Sequence, residues 1–153
     1  MRRFFSIFMI GLLFWSCGDD LQDNTPSIQG IQNGEILWKA SGYNVQTSGN
    51  LTTITATTNT STLQLIIPSI SAGTYILNSS SNAMATFEEN GVFYSTANDG
   101  TGSPVYVSDG MIDIESIGGG NNAITGTFMF NAFDDSGQLT VNFIDGVIFR
   151  IQQ

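Results

Sequence analysis

Histidine is absent from this chain, cysteine occurs once, proline three times, and lysine and arginine together four times. Each shortage excludes something. Without histidine neither a Ser-His-Asp nor a Cys-His arrangement can be built, and zinc and copper lose their usual imidazole and thiolate ligands. A lone cysteine cannot close an internal disulfide. The cations are Arg2, Arg3, Lys39 and Arg150 against thirteen acids, for a formal net charge of −9. With no basic stripe nothing neutralises phosphates, which excludes nucleic acid as a partner and leaves no electrostatic hold on anionic lipid. After residue 16 no apolar run is long enough for a transmembrane helix.

The N-terminus has three parts: Met1-Arg2-Arg3 is positively charged, Phe4 to Trp15 is apolar, and Ser16 is small. That is the layout of a signal peptide. The alternative is a short buried helix or an uncleaved anchor. Against it stand a length too short to span comfortably and the immediate change to Gly18, Asp19 and Asp20. A free thiol in an exported chain would be reactive, and lipidation of Cys17 resolves that.

Leu13 to Cys17 resembles the lipobox of bacterial lipoproteins, in which a small residue precedes a cysteine that is acylated and becomes the new N-terminus. Phe14 and Trp15 stand where the usual pattern has Leu and a small residue, a relaxation that the Bacteroidota tend to show. The resemblance implies acyl chains of the palmitate kind on Cys17 and an outer-membrane location. Asp19 and Asp20, with Asp23 nearby, also resemble the export signal that sends Bacteroidota lipoproteins to the cell surface. A solvated acidic tether, with the domain on the periplasmic face, is the other reading. Each buried methylene contributes about 0.8 kcal/mol and a single chain holds only marginally, so durable anchoring needs more than one. Leu21 to Ser27 is polar, contains Pro26 and suits a short tether. The expected organisation is a signal peptide over 1–16, an acylated cysteine and tether over 17–27, and a single all-β domain over 28–153.

From Ile28 the chain alternates in short segments rich in Thr, Ile, Val and Phe, broken by Gly, Asn, Asp and Ser. Asn33-Gly34 suits a type I′ hairpin between Ile28–Gln32 and Ile36–Ala40, because both central residues must take positive φ. Strands are expected over Tyr43–Thr47, Leu51–Thr58, Thr62–Ile67, Gly73–Asn78, Ala83–Glu88 and Val92–Thr96. Ala97 to Pro104 is a loop, with Val105–Val107 as a short edge strand beside it. Met111–Ile117 presents Ile112 and Ile114 to one face and Asp113 and Glu115 to the other. The last third predicts a three-stranded meander with turns at Asp134-Asp135-Ser136-Gly137 and Asp145-Gly146. No stretch after residue 20 has helical periodicity. About ten to twelve strands cannot stay one open twisted sheet, so an antiparallel two-sheet sandwich is expected, with a closed barrel as the alternative.

Gly73-Thr74-Tyr75-Ile76-Leu77, Ile124 to Ala132, and Asp145-Gly146-Val147-Ile148-Phe149 resemble blocks of a family of small Bacteroidota lipoproteins of unassigned function. That resemblance implies a fold and an envelope location, and no activity. Read as structure alone, Gly126 and Gly146 mark turns or bulges and the aromatics fill the core.

The available chemistry is narrow. A serine-lysine dyad would need Lys39, which sits beside Trp38 and suits a solvated strand. The carboxylate pairs are Glu88-Glu89, Asp113 with Glu115, and Asp134-Asp135; glycoside hydrolysis needs two such groups about 5 to 9.5 Å apart across a cleft. Neighbours on a strand point to opposite faces, so solvated surface is the default and no catalytic residue is expected. Asp134-Asp135-Ser136-Gly137 and Asn98-Asp99-Gly100 offer oxygens for calcium but lack the spacing of an EF-hand, and turn chemistry accounts for them without an ion. No cofactor is expected. Two functions remain. One is a surface module capturing a glycan or protein, with Trp38, Tyr43, Tyr94 and Tyr106 as candidate platforms against the alternative that each is packing. The other is an accessory subunit of an envelope complex, which an exposed apolar patch or uncovered strand edge would favour.

Overall fold

The computed structural model describes residues 25–119 and 122–153; Cys17, Asp19 and Asp20 lie outside the described residues. The described part is all-β, with no helix. Its strands are β1 (Ser27–Gln32), β2 (Ile36–Lys39), β3 (Gly42–Ser48), β4 (Leu51–Thr57), β5 (Ser61–Ile67), β6 (Gly73–Leu77), β7 (Met84–Glu89), β8 (Val92–Ser95), β9 (Asp109–Gly118), β10 (Ala123–Asp134) and β11 (Thr140–Ile151).

Tight turns fix the hairpins. Asn33 and Gly34 take φ of 52° and 74°, and the Glu35 amide donates to the Gln32 carbonyl at 3.2 Å, as a type I′ turn requires. Asn90 and Gly91, at 53° and 80°, do the same between β7 and β8. All eleven strands join one antiparallel sheet curled into an open half-barrel, nine of them in the order β2-β1-β11-β10-β8-β7-β5-β4-β3 and β9 and β6 branching from β10. The long β10 is the branch point. Its end, Phe133 and Asp134, pairs with β8, while Ala123 to Asn131 pairs with β9, which carries β6. The two facing layers expected of a sandwich are thus opposite flanks of a single curled sheet.

The flanks meet around aromatic rings. Phe143 on β11 is fully buried, with its ring centroid 5.0 Å from Phe87, 5.1 Å from Phe130, 5.8 Å from Trp38 and 6.1 Å from Phe128. Trp38, on the edge strand β2, also reaches across to donate its indole N–H to Ser61 Oγ at 2.8 Å. Gln32 Nε2 likewise donates to Glu89 Oε2 at 2.9 Å. No buried side-chain polar atom among the described residues lacks a partner, so the curl closes without stranded donors or acceptors.

Two expectations are corrected. Of the two readings of Gly146, turn or bulge, the turn is overturned and the bulge holds: β11 runs unbroken through Asp145-Gly146, with Asp145 at φ 49° as the extra residue against β10. A methyl on Gly146 would lie 2.6 Å from the Phe128 ring, which is why the sequence has glycine there. Val105–Val107 forms no strand. The stretch of β10 it would pair with, Phe133 and Asp134, is already bonded to β8, so the segment folds back with the Gly100 amide on the Tyr106 carbonyl.

Candidate functional site

The candidate aromatic platforms are mostly packing. Trp38 is buried, and Tyr43 and Tyr94 are half-buried against the core. Burial, with the charges of Asp134 and Glu89, raises the Tyr94 pKa. Tyr106 differs, being 65% exposed between the similarly exposed Val105 and Val107. It borders a shallow cleft of about 410 Å³ with Phe133 and Thr140.

The two acidic turns come together, with the Thr101 amide bonded to the Gly137 carbonyl at 3.0 Å. Their carboxylates are taken up by protein donors, Asp135 accepting from Asn98 Nδ2 of the other turn at 3.1 Å. Asp99 accepts from Ser79 Oγ at 2.7 Å and from the Ser108 amide at 2.8 Å, and these bonds hold its carboxyl below the usual carboxylate range. Asp134 accepts from Ser136 Oγ and from the Leu139 and Gln138 amides, with the same effect. Among the described residues no three acids converge as metal ligands. Glu88 and Glu89 occupy adjacent positions on β7, Glu89 holding Gln32, and Asp113 accepts from Thr74 Oγ1 at 2.8 Å.

The feature that per-strand reading misses lies on the sheet face turned away from the core. Leu37 on β2 pairs with Ile31 on β1, and Ile31 pairs with Ile144 on β11. The β11 bulge sets Ile144 and Asp145 opposite Met129 on β10, which pairs with Met111 on β9, which pairs with Ile76 on β6. Residues directly opposite on antiparallel strands share a face, so these six side chains form one apolar row across six strands. Leu37, Ile144, Met129, Met111 and Ile76 are 63%, 37%, 46%, 38% and 54% exposed. At the bulge the row sinks into a hollow of about 380 Å³ walled by Met111, Met129 and Asp145.

Polar rows bound it on both sides. On one side Asn142 Nδ2 donates to Asn131 Oδ1 at 2.6 Å, and Asn131 Nδ2 to Asp109 Oδ1 at 2.7 Å. Asn33 Oδ1 continues this ladder by accepting the Asn142 amide at 3.0 Å. On the other side register aligns Lys39, Gln29, Val147, Thr127, Asp113 and Thr74. A continuous apolar line, flanked by a hydrogen-bonded ladder on one side and on the other by a mostly polar row broken at Val147, can take up an apolar-faced segment of another molecule.

A family model described as a domain of unknown function (DUF6252) matches residues 24–152. No curated protein and no solved structure matches the chain. The chain belongs to the DUF6252 family.

Proposed function

We propose that this member of the DUF6252 family is a non-enzymatic lipoprotein, held at the outer membrane by acylated Cys17, that docks a partner protein through its outer apolar row. The row is the observation that supports the reading. Contiguous exposed apolar surface rimmed by polar residues is characteristic of interaction sites. Docking there favours an accessory subunit over glycan capture, because Trp38 is committed to the core and Tyr43 and Tyr94 are packed against it, which leaves Tyr106 as the single exposed ring of the four candidates. Lipobox-like Leu13 to Cys17 supports the anchor. Asp19 and Asp20 support placement on the cell surface, with the periplasmic face as the alternative. A tether of about ten residues from Cys17 to Pro26 reaches roughly 35 Å when extended, so the row can stand clear of the headgroups.

Site-specific photo-crosslinking in cells of the native host tests this. A photoreactive residue at Met129 or Ile76 should give a defined protein adduct, whereas one at Thr55, on the outer face of β4, should give none. Cys17→Ala should release the protein from the membrane fraction and abolish the adduct. Protease shaving of intact cells, with a periplasmic protein as leak control, then places the domain. Absence of adducts at the row, or equal adducts at Thr55, overturns the docking reading.

A further inference from the structure

We infer that the segment docking on the row is basic, with apolar side chains on Ile76, Met111, Met129 and Ile144 and lysine or arginine side chains on the acids beside them. This rests on the docking reading above and specifies its partner. Dimensions bound the segment first. Six strands at about 4.8 Å spacing make a line about 24 Å long, matching about seven extended or sixteen helical residues. The polar rows lie two residues away along each strand, about 7 Å to either side. The occupant is therefore a single segment rather than a broad face.

Charge then selects its sign. Asp109 and Asp113 bracket Met111 on β9, Asp145 stands exposed beside Ile144 in the bulge, and Glu115 extends the acidic side of β9. Asp109 and Asp113 each hold a neighbour through Oδ1, and an ionised carboxylate retains further acceptor sites for a cation. Lys39 is the cation on these two rows and lies at the opposite end, on β2. Partner cations at Asp109, Asp113 and Asp145 would meet complementary potential, whereas the chain's net charge of −9 opposes a second copy or an anionic bilayer in the same place.

The test uses the full chain and three fluorescein-labelled peptides of about eight residues, the extended span of the row. One alternates Leu and Lys, one Ser and Lys, one Leu and Glu. The Leu/Lys peptide should bind, by fluorescence anisotropy, at least tenfold more tightly than either of the others. Met111→Ser with Met129→Ser should weaken it at least tenfold, with the thermal midpoint checked separately. Asp113→Asn with Asp145→Asn should weaken it and flatten its salt dependence. Should the serine pair fail to fold, Ile76→Ser on the edge strand provides the same reading. Equal binding of the Ser/Lys or Leu/Glu peptide, or indifference to the serine changes, overturns the inference. So does concentration-dependent dimerisation of the chain that the serine changes abolish, since the occupant would then be a second copy. Crosslinked adducts at Met129 in cells combined with no binding of the Leu/Lys peptide would leave docking standing and reject the basic partner.

Discussion

Phe143→Ala is the substitution that most directly probes what holds the curl shut. The ring is fully buried and lies within about 6 Å, centroid to centroid, of Trp38, Phe87, Phe128 and Phe130. Those neighbours come from β2, β7 and β10, so its loss opens a void where both flanks meet. Truncating a buried phenylalanine costs about 3–5 kcal/mol, and four ring partners with little room to collapse place Phe143 at about 4–5. For a domain of this size that is a fall of roughly 15 °C in Tm, and a third or more of a typical total stability. Urea unfolding followed by far-UV circular dichroism measures it. Phe143→Leu keeps most of the volume and should cost about 1–2 kcal/mol. Phe93→Ala, at a ring 44% exposed on β8, should cost about 1 kcal/mol. If Phe143→Ala cost no more than Phe93→Ala, packing would not be concentrated where the flanks meet, and the account of the core would fail.

Three further outcomes follow from the same geometry. Gly146→Ala drives a methyl into the Phe128 carbonyl oxygen as well as its ring and should cost about 1–3 kcal/mol, whereas Gly34→Ala, with open space but φ of 74°, should cost only about 1 kcal/mol; thermal melts separate the two. Trp38→Phe removes the indole donor to Ser61, and a double-mutant cycle with Ser61→Ala should return a coupling of about 1 kcal/mol, with zero coupling denying the clasp. Asp99 and Asp134 titrate below their ordinary range because of bonds made only in the folded chain, so their stabilisation is complete above the unfolded-state carboxylate pKa and is lost as pH falls through the lowered values. The protection factors of the Ser108 and Leu139 amides, exchange rates relative to the unstructured chain at the same pH, should fall across that acid window, and Asp99→Asn should remove the dependence at Ser108.

Most strands were legible because alternation and turn chemistry agree. Asn33-Gly34 and Asn90-Gly91 are dipeptides that take two positive φ angles cheaply, and both sit where hairpins form. The two misreadings have one cause. Asp145-Gly146 has turn composition, but whether such a pair reverses a strand or bulges it depends on the neighbours, and β1 and β10 both continue past it. Val105–Val107 has strand composition but no free edge, since β8 had taken the partner stretch of β10. Composition states what a segment can do; the sheet decides which options have a partner.

The apolar row was illegible for a related reason, which also shows why it is more than scattered surface. On the outer face Ile31 follows Gln29, Leu37 precedes Lys39, Ile76 follows Thr74, Met111 lies between Asp109 and Asp113, Met129 between Thr127 and Asn131, and Ile144 follows Asn142. Each strand contributes one apolar side chain to the row, among outer neighbours that are mainly polar except for Val147 and Phe149 on β11, and one exposed apolar residue on a strand calls for no explanation. Only register places six of them opposite one another. A slip of two residues in any pairing would keep every inward side chain inward yet break the line. Bulges take up extra residues without breaking that line: Glu115 on β9, against Thr125 and Gly126, and Asp145 on β11, against both β1 and β10. Deleting Asp145 should therefore regularise β11, keep Ile144 opposite both Met129 and Ile31, and leave the row continuous while removing the bulge carboxylate. Crosslinking to the same partner from both Ile76 and Leu37 should then persist; loss of it from Leu37 alone would mean that the partner does not follow the row across β11.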